Sequence, residues 1–200
     1  MNKKSIALLG GVLLCLSSVN ALAHDSHGGK GNDYYNSDNC VGTPFTQADG
    51  NPLSFDEKFG EGTSAVTRCL ANTKKVKTLF QMNTLCKNSA CDAPYAIGNI
   101  KNAIKDYQMT HGMTPDDYEI AVVVHSAGWK LVINDDTTNP FKADMEWLVS
   151  QPSVKVLFCL NTANSKGVTK ADMIEGVGFV TSGVTAIPDF QEEGYRYVQP

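Results

Sequence analysis

The sequence predicts a three-layer α/β/α sandwich with a mostly parallel central sheet of about five strands. Two observations predict it. From Val76 onward, short runs rich in β-branched residues alternate with stretches whose apolar residues recur at helical spacing. One run, Ile120-Ala121-Val122-Val123-Val124, is apolar without a break, the pattern of a strand covered on both faces. Strands alternating with helices form right-handed βαβ units, and those units make a parallel sheet.

The first segment lies outside that fold. Lys3 and Lys4 precede an apolar run from Ile6 to Val19, and Ala21-Leu22-Ala23 has the small-x-small pattern of a signal-peptidase site. The run is shorter than the roughly 20 residues that span a bilayer. Residues 1–23 are therefore read as a cleaved signal peptide, and the mature chain as periplasmic or secreted. Leu14 before Cys15 is too large for a lipoprotein site. No second long apolar stretch follows, so no membrane segment is expected. The formal charge of −4, which becomes −6 once Lys3 and Lys4 are removed, argues against nucleic acid and anionic membranes as partners.

Residues 24–73 form a polar N-terminal arm in which one short helix is expected. Up to about residue 60 it is rich in Gly, Asn, Asp and Ser, and an extended or partly disordered path is predicted. Residues 74–200 form the domain. Val76–Met82 reads as its first strand. Asp92 is placed as the cap of a helix with Pro94 in its first turn, because Ile97, Ile100, Ile104 and Tyr107 follow at helical spacing. The second strand covers residues 118–125. A helix over residues 141–150 shares Met145, Leu148 and Val149 on one face, and Val154–Cys159 is the third strand. Two short strands are expected near residues 176–181 and 195–198, with a helix over 184–193 between them.

Ligands and reactive groups of open parallel sheets gather beyond the carboxyl ends of the strands. Here those ends carry Asn83, Thr84 and Cys86, then His125 and Trp129, then Cys159, Asn161 and Thr162. Cys159 is the candidate catalytic residue. A short helical stretch follows it, with Thr162 or Asn164 as its cap, and the partial positive charge of a helix N-terminus favours thiolate, the nucleophilic form. Asn83, Thr84, His125, Trp129, Asn161 and Thr162 are the candidate pocket. Each also has a plainer reading. Cys159 fits as a small apolar filler, His125 as a hydrogen-bonded strand-end histidine, Trp129 as core, and Asn83 and Thr84 as loop caps.

Five cysteines follow residue 23, and an odd number in an oxidising compartment leaves one unpaired. Cys86 with Cys91 and Cys40 with Cys69 are the expected disulfides, which makes Cys159 the free thiol. The Cys86/Cys91 spacing is neither a Cys-x-x-Cys redox motif nor a zinc knuckle. A dithiol switch exchanging with Cys159 is the alternative. His24 and His27 begin the mature arm, but two histidines in a polar arm do not justify a metal assignment. No GxGxxG or GxxxxGK[ST] follows a strand and no serine-hydrolase elbow is present, so no cofactor is expected.

The stretch Cys159-Leu160-Asn161-Thr162-Ala163-Asn164-Ser165-Lys166-Gly167-Val168 resembles the cysteine-loop-helix segment of the DsrE/DsrF-like family. Val180-Thr181-Ser182-Gly183-Val184, Gln191, Gly194-Tyr195 and Val198-Gln199-Pro200 are similar to the end of its small members, and His125, Gly128 and Asn99 fit the same pattern. Lys166 stands where the family commonly has arginine. The resemblance spans roughly residues 74–200. It implies the sandwich fold, a homo- or hetero-oligomeric habit, of which a homo-oligomer is the expectation, a sulfur-donor or sulfur-acceptor protein as partner, and a sulfur-accepting cysteine at Cys159. The expected function is a persulfide carrier or transfer partner. The rival is a non-catalytic exported module that binds a small ligand or a protein at the strand ends.

Overall fold

The computed structural model describes residues 40–200. The signal-peptide assignment, His24, His27 and the start of the polar arm, residues 24–39, lie outside the described residues. Within them, α1 is Phe55–Phe59, closed by a capping box between Ser54 and Glu57. The strands and later helices follow in the order β1 Val76–Met82, α2 Ile97–Lys105, β2 Tyr118–Val124, α3 Lys142–Val149, β3 Val154–Cys159, α4 Leu160–Lys166, β4 Gly178–Val180, α5 Gly183–Glu192 and β5 Arg196–Val198.

All pairings are parallel, and the sheet order is β4-β3-β2-β1-β5. From β1 to β4 the chain steps in one direction, and from β4 to β5 it steps back across the sheet. Right-handed crossovers then put α2, α3 and α4 on one face and α5 on the other. The two apolar clusters agree. Phe80, Ile120, Val122, Val124, Val156 and Phe158 pack with α2, α3 and Ala163 of α4. Leu79, Ala121 and Val123 pack with Ile187 and Phe190 of α5. Alternate residues of each strand thus feed opposite layers.

Three sequence expectations need correction. α2 starts at Ile97, because Ala96 turns with φ 67° and breaks the helix. Asp92 caps nothing there and instead accepts a hydrogen bond from Asn88. A short 3-10 segment, Ser126–Val132, precedes α3 and was not foreseen. The arm from Cys40 onward is also more built than its composition suggests. Val41 and Gly42 donate to Thr110 O, Phe45 stacks edge-on against Phe55 and Phe59, and Cys40 is joined to Cys69 with Cα atoms 5.5 Å apart. Aromatic contacts and a crosslink stand in for the missing aliphatic core.

Candidate functional site

β3 hands over directly to α4. Cys159 keeps an extended backbone, φ −73° and ψ 119°, and is itself the N-cap, so Leu160 is already helical. That corrects the expectation that Thr162 or Asn164 caps the helix: Thr162 is drawn into the first turn and buried. At the other end Gly167 closes α4 with φ 65°, a conformation in which a side chain is strained.

Cys159 alternates with Phe158 and so points toward the α5 face. The loop after β3 turns to one face of the sheet and the loop after β4 to the other, which makes the β3–β4 boundary a topological switch point. The sulfur sits there. Gly183 N, at the start of α5, donates to Cys159 Sγ at 3.2 Å. Burial pushes the thiol pKa up. Hydrogen bonds from Gly183 N–H, from the N–H and hydroxyl of Thr162 and from Asn161 N–H overcome this and hold it below the ordinary value. These donors come from the first turns of two helices. Cys159 is only 4% exposed.

His125 belongs to the same face. Tyr197 OH donates to Gln81 Oε1 at 2.7 Å, so the Gln81 amide nitrogen faces His125 Nε2, at 2.5 Å. Nε2 therefore accepts, and Nδ1 carries the proton and donates to Ser126 Oγ at 2.8 Å. Burial lowers the pKa of His125, so the ring stays neutral near pH 7. Ser126 N donates in turn to Thr162 Oγ1 at 3.1 Å, which leaves the Thr162 proton to the sulfur. A polar row thus runs across the sheet edge from Tyr197 to Cys159. Gly183 closes it: a Cβ there would stand 3.0 Å from His125 Cδ2.

The other predicted residues are not all in this row. Asn161 contributes its backbone N–H, while its side chain is exposed. Asn83 is exposed. Thr84, Trp129 and Cys86 line an open cavity of about 550 Å³ with Lys87, Lys130 and Lys166, and neither Cys159 nor His125 borders it. The single pocket expected at the strand ends is therefore two sites. The physical reason is the alternation of the strands: the loops after β1 and β2 turn to the α2–α4 side, whereas His125 and Cys159 project under α5. Cys86 and Cys91 are joined, with Cα atoms 4.9 Å apart, and Cys159 is the free cysteine among the described residues. Asn99 is exposed on α2 and borders a different cavity, with Tyr95 and Pro200.

Gln81, Ser126, Gly183 and Tyr197 were missed from the sequence. Gln81 carried a signal, being the lone polar residue in Leu79-Phe80-Gln81-Met82. Gly183 stood in the stretch that resembles the end of the family's small members but with no role attached, and Tyr197 carried no signal, because both roles come from tertiary placement.

Comparison with known proteins gives two findings. The model of the DsrE/DsrF-like family matches residues 73–200. A solved structure described as a protein of unknown function, MTH1491, from Methanobacterium thermoautotrophicum, is 26% identical, with a TM-score of 0.52 over 63% of this chain and 100% of its own. No curated protein matches.

Proposed function

We propose, because the chain belongs to the DsrE/DsrF-like family, that it is a sulfur-relay-type protein whose Cys159 accepts and passes on sulfane sulfur. The observation that carries this reading is the cradle of N–H and O–H donors around Cys159 Sγ, contributed by Asn161, Thr162 and Gly183. Such a cradle stabilises the thiolate that must attack the donor sulfur. The thiolate attacks the outer sulfur of a donor such as thiosulfate. A new S–S bond forms, the donor's S–S bond breaks, and sulfite leaves with the electron pair. Neutral His125, fixed by Gln81, orients Ser126 and through it Thr162. With Cys159 4% exposed, sulfur enters only when the Ser182–Gly183–Val184 junction swings aside.

Export behind a leader ending at Ala23 and assembly with further copies or with a sulfur-donor or acceptor protein belong to the same proposal. Val184 at 77% and Leu160 at 43% exposure flank the site and offer such a partner apolar contact. The test is mass spectrometry after incubation with thiosulfate or polysulfide under anaerobic conditions. A gain of one sulfur on Cys159, absent in Cys159→Ser, is expected. Equal uptake by Cys159→Ser overturns the proposal.

A second reading rests on a separate observation, the cavity of Thr84, Trp129, Lys87, Lys130 and Lys166, which has no acidic residue in its wall. On this reading the chain is a non-catalytic module that binds a small anionic ligand there, and Cys159 is structural. It requires the native thiol to resist alkylation.

A further inference from the structure

The arm and the turn after α2 bring together three soft ligand atoms. Cys40 Sγ, Cys69 Sγ and His111 Nε2 lie within 4.8 Å of one another, and Cys40 Sγ is 4.0 Å from His111 Nε2. We infer that, once the Cys40–Cys69 bond is reduced, these three atoms form a trigonal site for Cu(I).

Several observations converge on it. His111 is 8% exposed and its Nδ1 donates to Asp106 O at 3.1 Å, which fixes the tautomer in which Nε2 keeps its lone pair as an acceptor. A backbone carbonyl behind the imidazole is the usual outer support of a metal-bound histidine. Nε2 now accepts from Leu70 N at 2.9 Å, and the metal takes the place of that N–H. The two sulfurs are bonded to each other now and must part on reduction; metal–ligand bonds of about 2.0–2.3 Å then place ligand atoms about 4 Å apart, the separation that Cys40 Sγ and His111 Nε2 already have. A cavity of about 470 Å³ reaches Cys40 and Cys69 and supplies an entry path.

The donor set selects the metal. Zinc in a structural site takes four ligands. Glu57 is the carboxylate in the cavity wall, and its Oε2 is engaged by Ser54 N at 2.7 Å in the capping box of α1. Two thiolates and one imidazole suit Cu(I), which favours soft sulfur. The balance is simple. A dithiol reductant gives two electrons and two protons to the Cys40–Cys69 bond and leaves as its own disulfide. Cu(I) then displaces the two thiol protons.

The purified protein, reduced with a phosphine and kept anaerobic, is titrated with Cu(I) against a competing chelator. One Cu(I) per chain is expected, with two sulfur and one nitrogen scatterers in X-ray absorption. Cys159→Ser and Cys86→Ser/Cys91→Ser bind it unchanged. His111→Gln keeps an acceptor for Leu70 N, so it retains the fold, and binds Cu(I) at least about tenfold more weakly. Full-affinity binding by His111→Gln, loss of the copper in Cys86→Ser/Cys91→Ser, tighter four-coordinate binding of Zn(II), or no binding by reduced protein with native circular dichroism would each overturn the inference.

Discussion

The buried thiol of Cys159 keeps its charge through the residues that donate to it. Desolvation works against the Cys159 thiolate, and the donors from Gly183, Thr162 and Asn161 outweigh it. Because the folded pKa is depressed, the anion is present at a lower pH than in an ordinary thiol. Thr162→Val removes one donor to the sulfur and the acceptor for Ser126 N. The orphaned N–H costs about 1–3 kcal/mol, and the midpoint of Cys159 ionisation moves up. Thermal melts and the pH profile of alkylation read the two effects separately. Gly183→Ala places a methyl group against the His125 ring. It is expected to destabilise by about 1–3 kcal/mol and to slow sulfur uptake; unchanged values for both contradict the packing described.

Elements were the most legible level of the sequence, for a physical reason. β1, β2 and β3 were legible from their short apolar runs, whereas the facing of their residues came only with the structure. α3 was legible from its apolar spacing, and α5 was expected between the last two short strands. What could not be read were the handovers. The start of α2 depends on the left-handed Ala96, and the direct step from β3 into α4 makes Cys159 its own cap, neither of which spacing encodes. The turn into β2 gives an element-scale prediction. Lys74 Nζ at 2.6 Å, then Thr114 N and Oγ1 at 2.8 and 2.9 Å, hold Asp117, and its carboxyl titrates near 2 instead of 3.8. The stability it adds is complete above about 4 and is lost as the pH falls toward 2. Asp117→Asn is expected to flatten the fall in melting temperature over that window. An unchanged acid slope contradicts this role.

For the whole molecule, the asymmetry of the layers decides access. Three helices cover one face of the sheet, while the other depends on α5, whose Phe190 packs edge-on against Tyr195 with ring centroids 5.0 Å apart. Phe190 is only half-buried, so Phe190→Ala weakens the docking of α5 by about 1–2 kcal/mol, less than a full core truncation. Opening of the site then rises about tenfold, and native labelling of Cys159 speeds up by the same factor. Phe158→Ala, fully buried on the thicker side, costs about 3–5 kcal/mol and shows up in global melting. This division also explains why the site was half-readable. The sequence order put Cys159 and His125 at one sheet edge, but only the crossover from β4 to β5 determines that they lie under α5, apart from Thr84 and Trp129.

The most direct measurement is the rate of iodoacetamide labelling of the native protein as a function of pH. One thiol, Cys159, is expected to react, with a midpoint below that of free cysteine and a shift upward in Thr162→Val. Labelling that occurs only after denaturation, or a midpoint at or above the free-cysteine value, would contradict it.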